Sequence, residues 1–214
     1  MTQSEGMYAK LIQSAAPGDR MTVEEFFEIA PEDRKAELID GVLIVYSPAT
    51  DAHENLLGFL LSVLRLYTHQ RNLGEVRGSR TALRLGQEYH AYEPDILFVS
   101  RERAEIVRED GVHGAPDLVV EILSPGTRSL DQGVKRHTYA LAGVRELWLI
   151  DPEGEHLSGF YQREPGGALK EVSMSEGVLR SLALPGFFLR AEWLWPPSGR
   201  LPDEIEVLRA LGVL

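Results

Sequence analysis

The sequence predicts one mixed α/β domain with a β-rich end, and three observations carry that reading. Residues 52–71 place Leu56, Leu57, Leu60, Leu61, Leu64 and Tyr67 at helical spacing, one broad apolar stripe that needs a packing partner. Residues 118–123 and 147–150 are almost wholly apolar, as strands buried on both faces are. A helical stretch over 130–142 separates those two runs, which gives the order strand–helix–strand. At 214 residues, with 43% hydrophobic and 26% charged, the chain suffices for one well-buried domain and is short for two.

Taken in order, residues 1–20 are polar with scattered apolar positions, and we expect an N-terminal extension that is partly ordered. Thr22 with Glu25 forms a capping box that opens a short helix ending near Ala30, ahead of Pro31. Asp40-Gly41 between the apolar runs 36–39 and 42–46 predicts a hairpin. A loop over 47–51 follows, with Asp51 the expected N-cap of the long helix and Glu54 three residues on. Asn72 and Gly74 close that helix. Thr81, Leu83 and Leu85 alternate with polar residues, the period of a half-buried strand.

A turn over 86–90 leads to the strand that carries Asp95. Residues 101–107 suggest a short helix, and a Gly-containing loop joins it to the 118–123 strand. Ser124-Pro125-Gly126-Thr127 breaks that strand, and Gly143 ends the helix beyond it. Short strands are expected over 159–163, 169–172 and 178–184, then a small helix over 202–211 beyond Pro196-Pro197. The domain therefore spans 21–195, with a tail over 196–214.

Composition narrows the function. No cysteine is present, which excludes disulfides and thiolate metal sites and fits a cytoplasmic protein. No apolar run approaches the roughly 18 residues of a membrane span, and the first residues lack a signal core. A net charge of −11 argues against a nucleic-acid coat protein, yet bound divalent cations offset acidic ligands at a local site. There are 18 arginines and only four lysines: Lys10, Lys35, Lys135 and Lys170. Lysine is a compact charge that its surroundings can tune, so each of the four raises a question.

The sharpest signal is a pair of carboxylates inside apolar strands, Asp95 and, 26 residues later, Glu121. An ionised carboxylate buried there needs a countercharge, donors or a metal. Adjacent strands could bring both to one end of a sheet. Two carboxylates with a backbone carbonyl and water suit Mg²⁺. The bland alternative has Asp95 merely ending a strand and Glu121 paired with a buried arginine. Asp117, four residues before Glu121, sits ~13 Å away at strand rise and reads as a turn residue.

Lys135 lies four residues after Asp131 and four before Tyr139, so one helix face carries all three. A surface ion pair is the bland reading; as a functional group Lys135 would hold hydroxide or phosphate. Glu37, in the hairpin, is either a solvated strand residue or a group that binds a second ion or orients water. His53 and Glu54 read as capping or surface groups. No histidine spacing indicates a zinc hydrolase, and no phosphate-loop or dinucleotide fingerprint occurs.

Four segments resemble the signature of the Uma-two endonucleases, within the PD-(D/E)XK restriction-endonuclease-like superfamily. They are 37–41 (ELIDG), 93–96 (EPDI), 116–125 (PDLVVEILSP) and 139–152 (YALAGVRELWLIDP). The likeness covers roughly residues 20–195. It implies a restriction-endonuclease-like core, with a central mixed sheet flanked by helices and a β-rich C-terminal part.

It also implies Mg²⁺- or Mn²⁺-dependent cleavage of a nucleic-acid backbone, DNA ahead of RNA, leaving 5′-phosphate and 3′-hydroxyl ends, by a homodimer. The lysine of the E-x-K signature belongs at position 123, which is Leu123 here. Lys135 is the expected substitute, because relocated lysines occur in the superfamily. The expected site is therefore Asp95, Glu121, Lys135 and Glu37, with Asp95, Glu121 and the Ile122 carbonyl as metal ligands. The alternatives are a catalytically degenerate module that binds nucleic acid or protein, and an unrelated metal enzyme acting on a small molecule.

Overall fold

The computed structural model describes residues 10–11, 20–31 and 33–214. The expectation of a partly ordered extension over residues 1–20 therefore lies almost entirely outside the described residues. Strand β1 (Lys10–Leu11) pairs antiparallel with β3 (Val42–Val45). Helix α1 (Val23–Ile29) starts at the Thr22 capping box, with both reciprocal bonds to Glu25 made. Strands β2 (Ala36–Ile39) and β3 (Val42–Val45) form the hairpin, and Asp40 and Gly41 both adopt positive φ, as a two-residue turn of the primed type requires. Helix α2 (Asp51–Gln70) is capped by Thr50, whose hydroxyl accepts from the His53 amide. Asp51 was expected there; it falls one residue inside, in the first turn, where a negative charge faces the positive helix end.

Strand β4 (Gly74–Gly78) has no counterpart in the sequence reading, because it holds one apolar residue between two glycines. Pairing with β7 makes it a strand. Next come β5 (Leu83–Arg84), β6 (Ala91–Tyr92) and β7 (Ile96–Ser100), then a 3₁₀ segment (Arg101–Ile106). Strands β8 (Val107–Arg108), β9 (Gly111–His113) and β10 (Leu118–Ile122) follow. Helix α3 (Arg128–Leu130), a π-helical turn (Asp131–Lys135) and α4 (Arg136–Ala142) run on as one crossover, ended by Gly143 at φ 100°. It leads to β11 (Glu146–Ile150), parallel to β10 with Glu121 opposite Leu149. The β-rich end comprises β12 (Gly159–Arg163), β13 (Leu169–Val172), β14 (Val178–Arg180) and β15 (Phe188–Arg190), with helices α5 (Ala191–Leu194) and α6 (Glu204–Ala210). The strand expected over 178–184 stops at Arg180.

Six strands form the central mixed sheet in the order β13-β12-β11-β10-β7-β4. Side chains alternate across β10. Leu118, Val120 and Ile122 face the cluster built on α2, which also takes Trp148, Phe187 and, from α6, Val207, Leu208 and Leu211. Val119 and Leu123 face the opposite cluster, where Tyr139 of α4 meets Ile39 and Ile44 of the hairpin and Tyr92. Glu121 shares that second face by its period of two. A second sheet, β1-β3-β2-β6-β5-β9-β8, supplies the hairpin above it. Glu121 is thereby roofed by the crossover helix and by β2. Among the described residues no helix is long and apolar enough to cross a membrane.

Candidate active site

Strand order brings the two carboxylates together. Strand β7 is antiparallel to β10, with Ile96 opposite Val120, so the residue before β7 meets the far end of β10. Asp95 Oδ2 accepts the Ile122 backbone amide at 2.8 Å, which ties it one residue from Glu121. Both side chains are buried and line one cavity of about 470 Å³, together with Lys35, Tyr46, His53 and Lys135.

Lys135 reaches this cavity from the π-helical turn. A π turn widens the helix locally and recurs at functional sites. Lys135 Nζ lies 2.7 Å from Glu121 Oε1, 3.0 Å from Asp131 Oδ1, and 3.0 and 3.1 Å from the two Glu37 oxygens. The Asp131–Lys135 pair predicted from the i, i+4 spacing is therefore present, but buried rather than at the surface. Tyr139 donates its hydroxyl to Glu121 Oε1 at 2.6 Å, so the face carrying Asp131, Lys135 and Tyr139 converges on one carboxylate.

Glu37 is fully buried, not a solvated strand residue. Besides Lys135, it accepts the Glu93 amide at 3.0 Å and the Tyr46 hydroxyl. Both its oxygens are occupied, which makes it a holder of Lys135 in this arrangement. Asp117 sits at the bend before β10, as a turn residue would, but it is buried. It accepts from the Ser100 amide at 2.8 Å and from Arg103 and Arg145 at 3.3 Å each, and it pins β7 to the start of β10.

Two residues at the site had no assigned role in the sequence. Lys35 donates to Asp95 Oδ1 at 2.8 Å. His53, read from the sequence as a capping or surface group, is buried with Nε2 3.2 Å from Asp95 Oδ2. The scarcity of lysine was the one sequence signal for Lys35. Nothing local marked His53, since its partner lies 42 residues away.

Electrostatics separates the two carboxylates. Burial opposes ionisation of Asp95, but Lys35 and His53 outweigh it and hold its carboxyl well below the usual range. Burial pushes Glu121 up to about 7; Lys135 and Lys35 pull against it, while Asp131 and Glu37 repel its charge. Burial resists the charge on Lys135, yet Asp131, Glu121 and Glu37 keep it firmly an ammonium.

Four carboxylates thus face two ammonium groups. Among the described residues no three His, Asp or Glu side chains form a ready-made metal cage. The donor chemistry nevertheless fits a hard divalent cation. The donors are carboxylate oxygens, among the described residues the four carboxylates outnumber the two ammonium groups and His53, and Mg²⁺ binds through one or two carboxylates while keeping water and phosphate as further ligands.

A family model described as "Putative restriction endonuclease", Uma2, matches residues 23–192, more than three-quarters of the chain. The chain belongs to the Uma2 family. The match spans every residue that lines the cavity, from Asp33 to Lys135, together with Tyr139, which bonds Glu121. Among solved structures, the chain is similar to a "putative nuclease belonging to DUF820" from Anabaena variabilis ATCC 29413. The TM-score is 0.64 at 21% identity, over 82% of this chain and 97% of that one. At that identity the likeness speaks for the nuclease-like fold alone. No curated protein matches the chain.

Proposed function

We propose that the protein is a Mg²⁺- or Mn²⁺-dependent endonuclease that hydrolyses nucleic-acid phosphodiester bonds, with DNA ahead of RNA, and that Lys135 replaces the motif lysine missing at Leu123. The observation that carries this reading is the meeting of Asp95, Glu121 and Lys135 in one cavity, with Lys135 Nζ 2.7 Å from Glu121. Asp95, Glu121 and the Ile122 carbonyl would hold the cation. When bound, such an ion supplies Lewis-acid stabilisation and lowers the pKa of water.

The chain's own residues do the rest. Glu121 must be ionised to serve as a ligand; in the cation-free protein burial raises its pKa to about 7, so a cation would bind there in competition with a proton. Lys135, held by Glu37 and Asp131, presents a fixed positive charge where negative charge develops on the phosphate. Tyr139 fixes the rotamer of Glu121. Water attacks phosphorus in line, the P–O3′ bond breaks, and the 3′ oxygen takes a proton, leaving 5′-phosphate and 3′-hydroxyl ends.

The test is an incubation of circular duplex DNA, single-stranded DNA and RNA with Mg²⁺, Mn²⁺ or EDTA, beside the Glu121→Ala protein. Cleavage that needs metal and vanishes in the variant supports the proposal and ranks the substrates. A folded protein that cuts none of them favours the second reading, a degenerate module that binds without cutting. One observation favours that second reading: both oxygens of Asp95 are already taken by donors.

A further inference from the structure

The two lysines of the cavity are held differently. Lys135 Nζ has three carboxylates within 3.1 Å and a side chain 2% exposed. Among the described residues Lys35 Nζ has one, Asp95 Oδ1 at 2.8 Å, with its side chain 24% exposed and the Tyr46 ring 5.5 Å away. Lys35 comes from the turn before β2, behind the exposed Asp33 and Arg34 at the cavity rim. It lies outside the motif segments, which begin at Glu37.

Each oxygen of Asp95 has a donor. The Ile122 amide and His53 hold Oδ2, and Lys35 holds Oδ1. The amide is fixed in the backbone of β10, and His53 is a neutral-or-charged ring buried at the first turn of α2, less free to swing out than a lysine stem at the cavity mouth. Lys35, with a side chain 24% exposed, leaves at the cost of its one direct ion pair among the described residues and of a longer-range attraction to Glu121 and Glu37. An ion approaching Asp95 therefore finds one exchangeable position, Oδ1.

We infer that Lys35 is an exchangeable countercharge: it occupies Asp95 Oδ1 in the cation-free protein, yields that oxygen to a divalent cation, and then binds a phosphate oxygen of the nucleic acid at the cavity mouth. The inference rests on the metal-dependent reading above. Lys35 thereby neutralises Asp95 when the site is empty of metal and becomes a second phosphate-binding cation when it is filled. Lys135, locked by three carboxylates, does not exchange.

The experiment follows Mn²⁺ binding through the electron paramagnetic resonance of the free ion, without nucleic acid, so it does not depend on cleavage. Lys35→Met removes the competitor and is expected to bind Mn²⁺ about 3- to 5-fold more tightly than wild type, the worth of a partly exposed ion pair. Lys35→Gln, which keeps a donor without the charge, should tighten binding in the same direction. Arg34→Met removes a nearby charge that does not touch Asp95, and should change affinity by less than about 2-fold. In a second readout, anisotropy of an oligonucleotide held with Ca²⁺, Lys35→Met should bind more weakly than wild type, and the difference should vanish in EDTA.

Wild-type Mn²⁺ binding with unchanged or weaker affinity in both Lys35 variants would overturn the inference while leaving the metal site standing. Equal tightening by Arg34→Met would also overturn it, as a general field effect. Absence of Mn²⁺ binding in wild type would overturn this inference and the metal-dependent reading together.

Discussion

Lys135 is a single ammonium surrounded by Glu37, Glu121 and Asp131, and its removal leaves three carboxylates buried without their shared partner. Breaking a buried pair from one side costs about 3–5 kcal/mol, so Lys135→Met should lower unfolding stability by that amount in urea titration. Tyr139→Phe removes one bond to Glu121 and should cost about 1–3 kcal/mol. The pH dependence follows from Glu121. Its folded pKa of about 7 lies above the ordinary 4.5, so the folded protein binds the proton more tightly than the unfolded chain. That contribution is complete below pH 4.5 and is lost as pH rises through about 7. Glu121→Gln should therefore stabilise the metal-free protein at pH 8, by on the order of 3 kcal/mol, and give no gain at pH 4. Asp95 acts with the opposite sign: its depressed pKa stabilises the fold above its unfolded value and is lost in acid. Of these residues, Asp95, Glu121, Lys135 and Glu37 were legible as polar groups in apolar or scarce-lysine contexts. Lys35 shared the scarcity signal, but its pairing and that of His53 with Asp95 were not legible, because their partner lies 60 and 42 residues away and only the fold joins them.

At the level of elements, local signals served where the structure is local. The Asp40-Gly41 turn, the Thr22 capping box and the α2 stripe are written in adjacent residues, and each appears in the fold. Strand β4 was invisible because its extended form comes from its ladder with β7 rather than from its own side chains. Its first residue, Gly74, has φ 147° and would place a Cβ 2.2 Å from the Val99 carbonyl oxygen, so the strand cannot start on any other residue without shifting β7. Gly133, in the π-helical turn, has open space around a Cβ. Thermal melts should therefore separate the two. Gly74→Ala should cost more than about 2 kcal/mol, whereas Gly133→Ala should be neutral or stabilise by about 0.5–1 kcal/mol. The π turn itself was not legible. Its sequence reads as ordinary helix, and the widened turn shows only once Asp131 and Lys135 are both seen buried against Glu121.

Across the whole molecule, a chain of net charge −11 concentrates part of that charge in one cavity between two sheets. The mixed central sheet was legible from the apolar runs and the crossover; of the second sheet, which roofs the cavity and carries Glu37, the hairpin and the Leu83 strand were legible, whereas β6, β8 and β9 were not, because they are two or three residues long. A cation that binds only the folded state must raise its stability. Mn²⁺ at 100 times its Kd should add about 2.7 kcal/mol to wild type and little to Asp95→Asn, measured by thermal shift with EDTA as the reference. The central claim is that Lys135 serves as the catalytic lysine from the crossover helix. It is tested most directly by the rate of Mg²⁺-dependent nicking of circular duplex DNA by wild type and Lys135→Met, at a temperature where circular dichroism shows both folded. The account predicts a loss of at least about 100-fold in the variant, the scale of one lost charge-stabilising group. Nicking by folded Lys135→Met at the wild-type rate would contradict it.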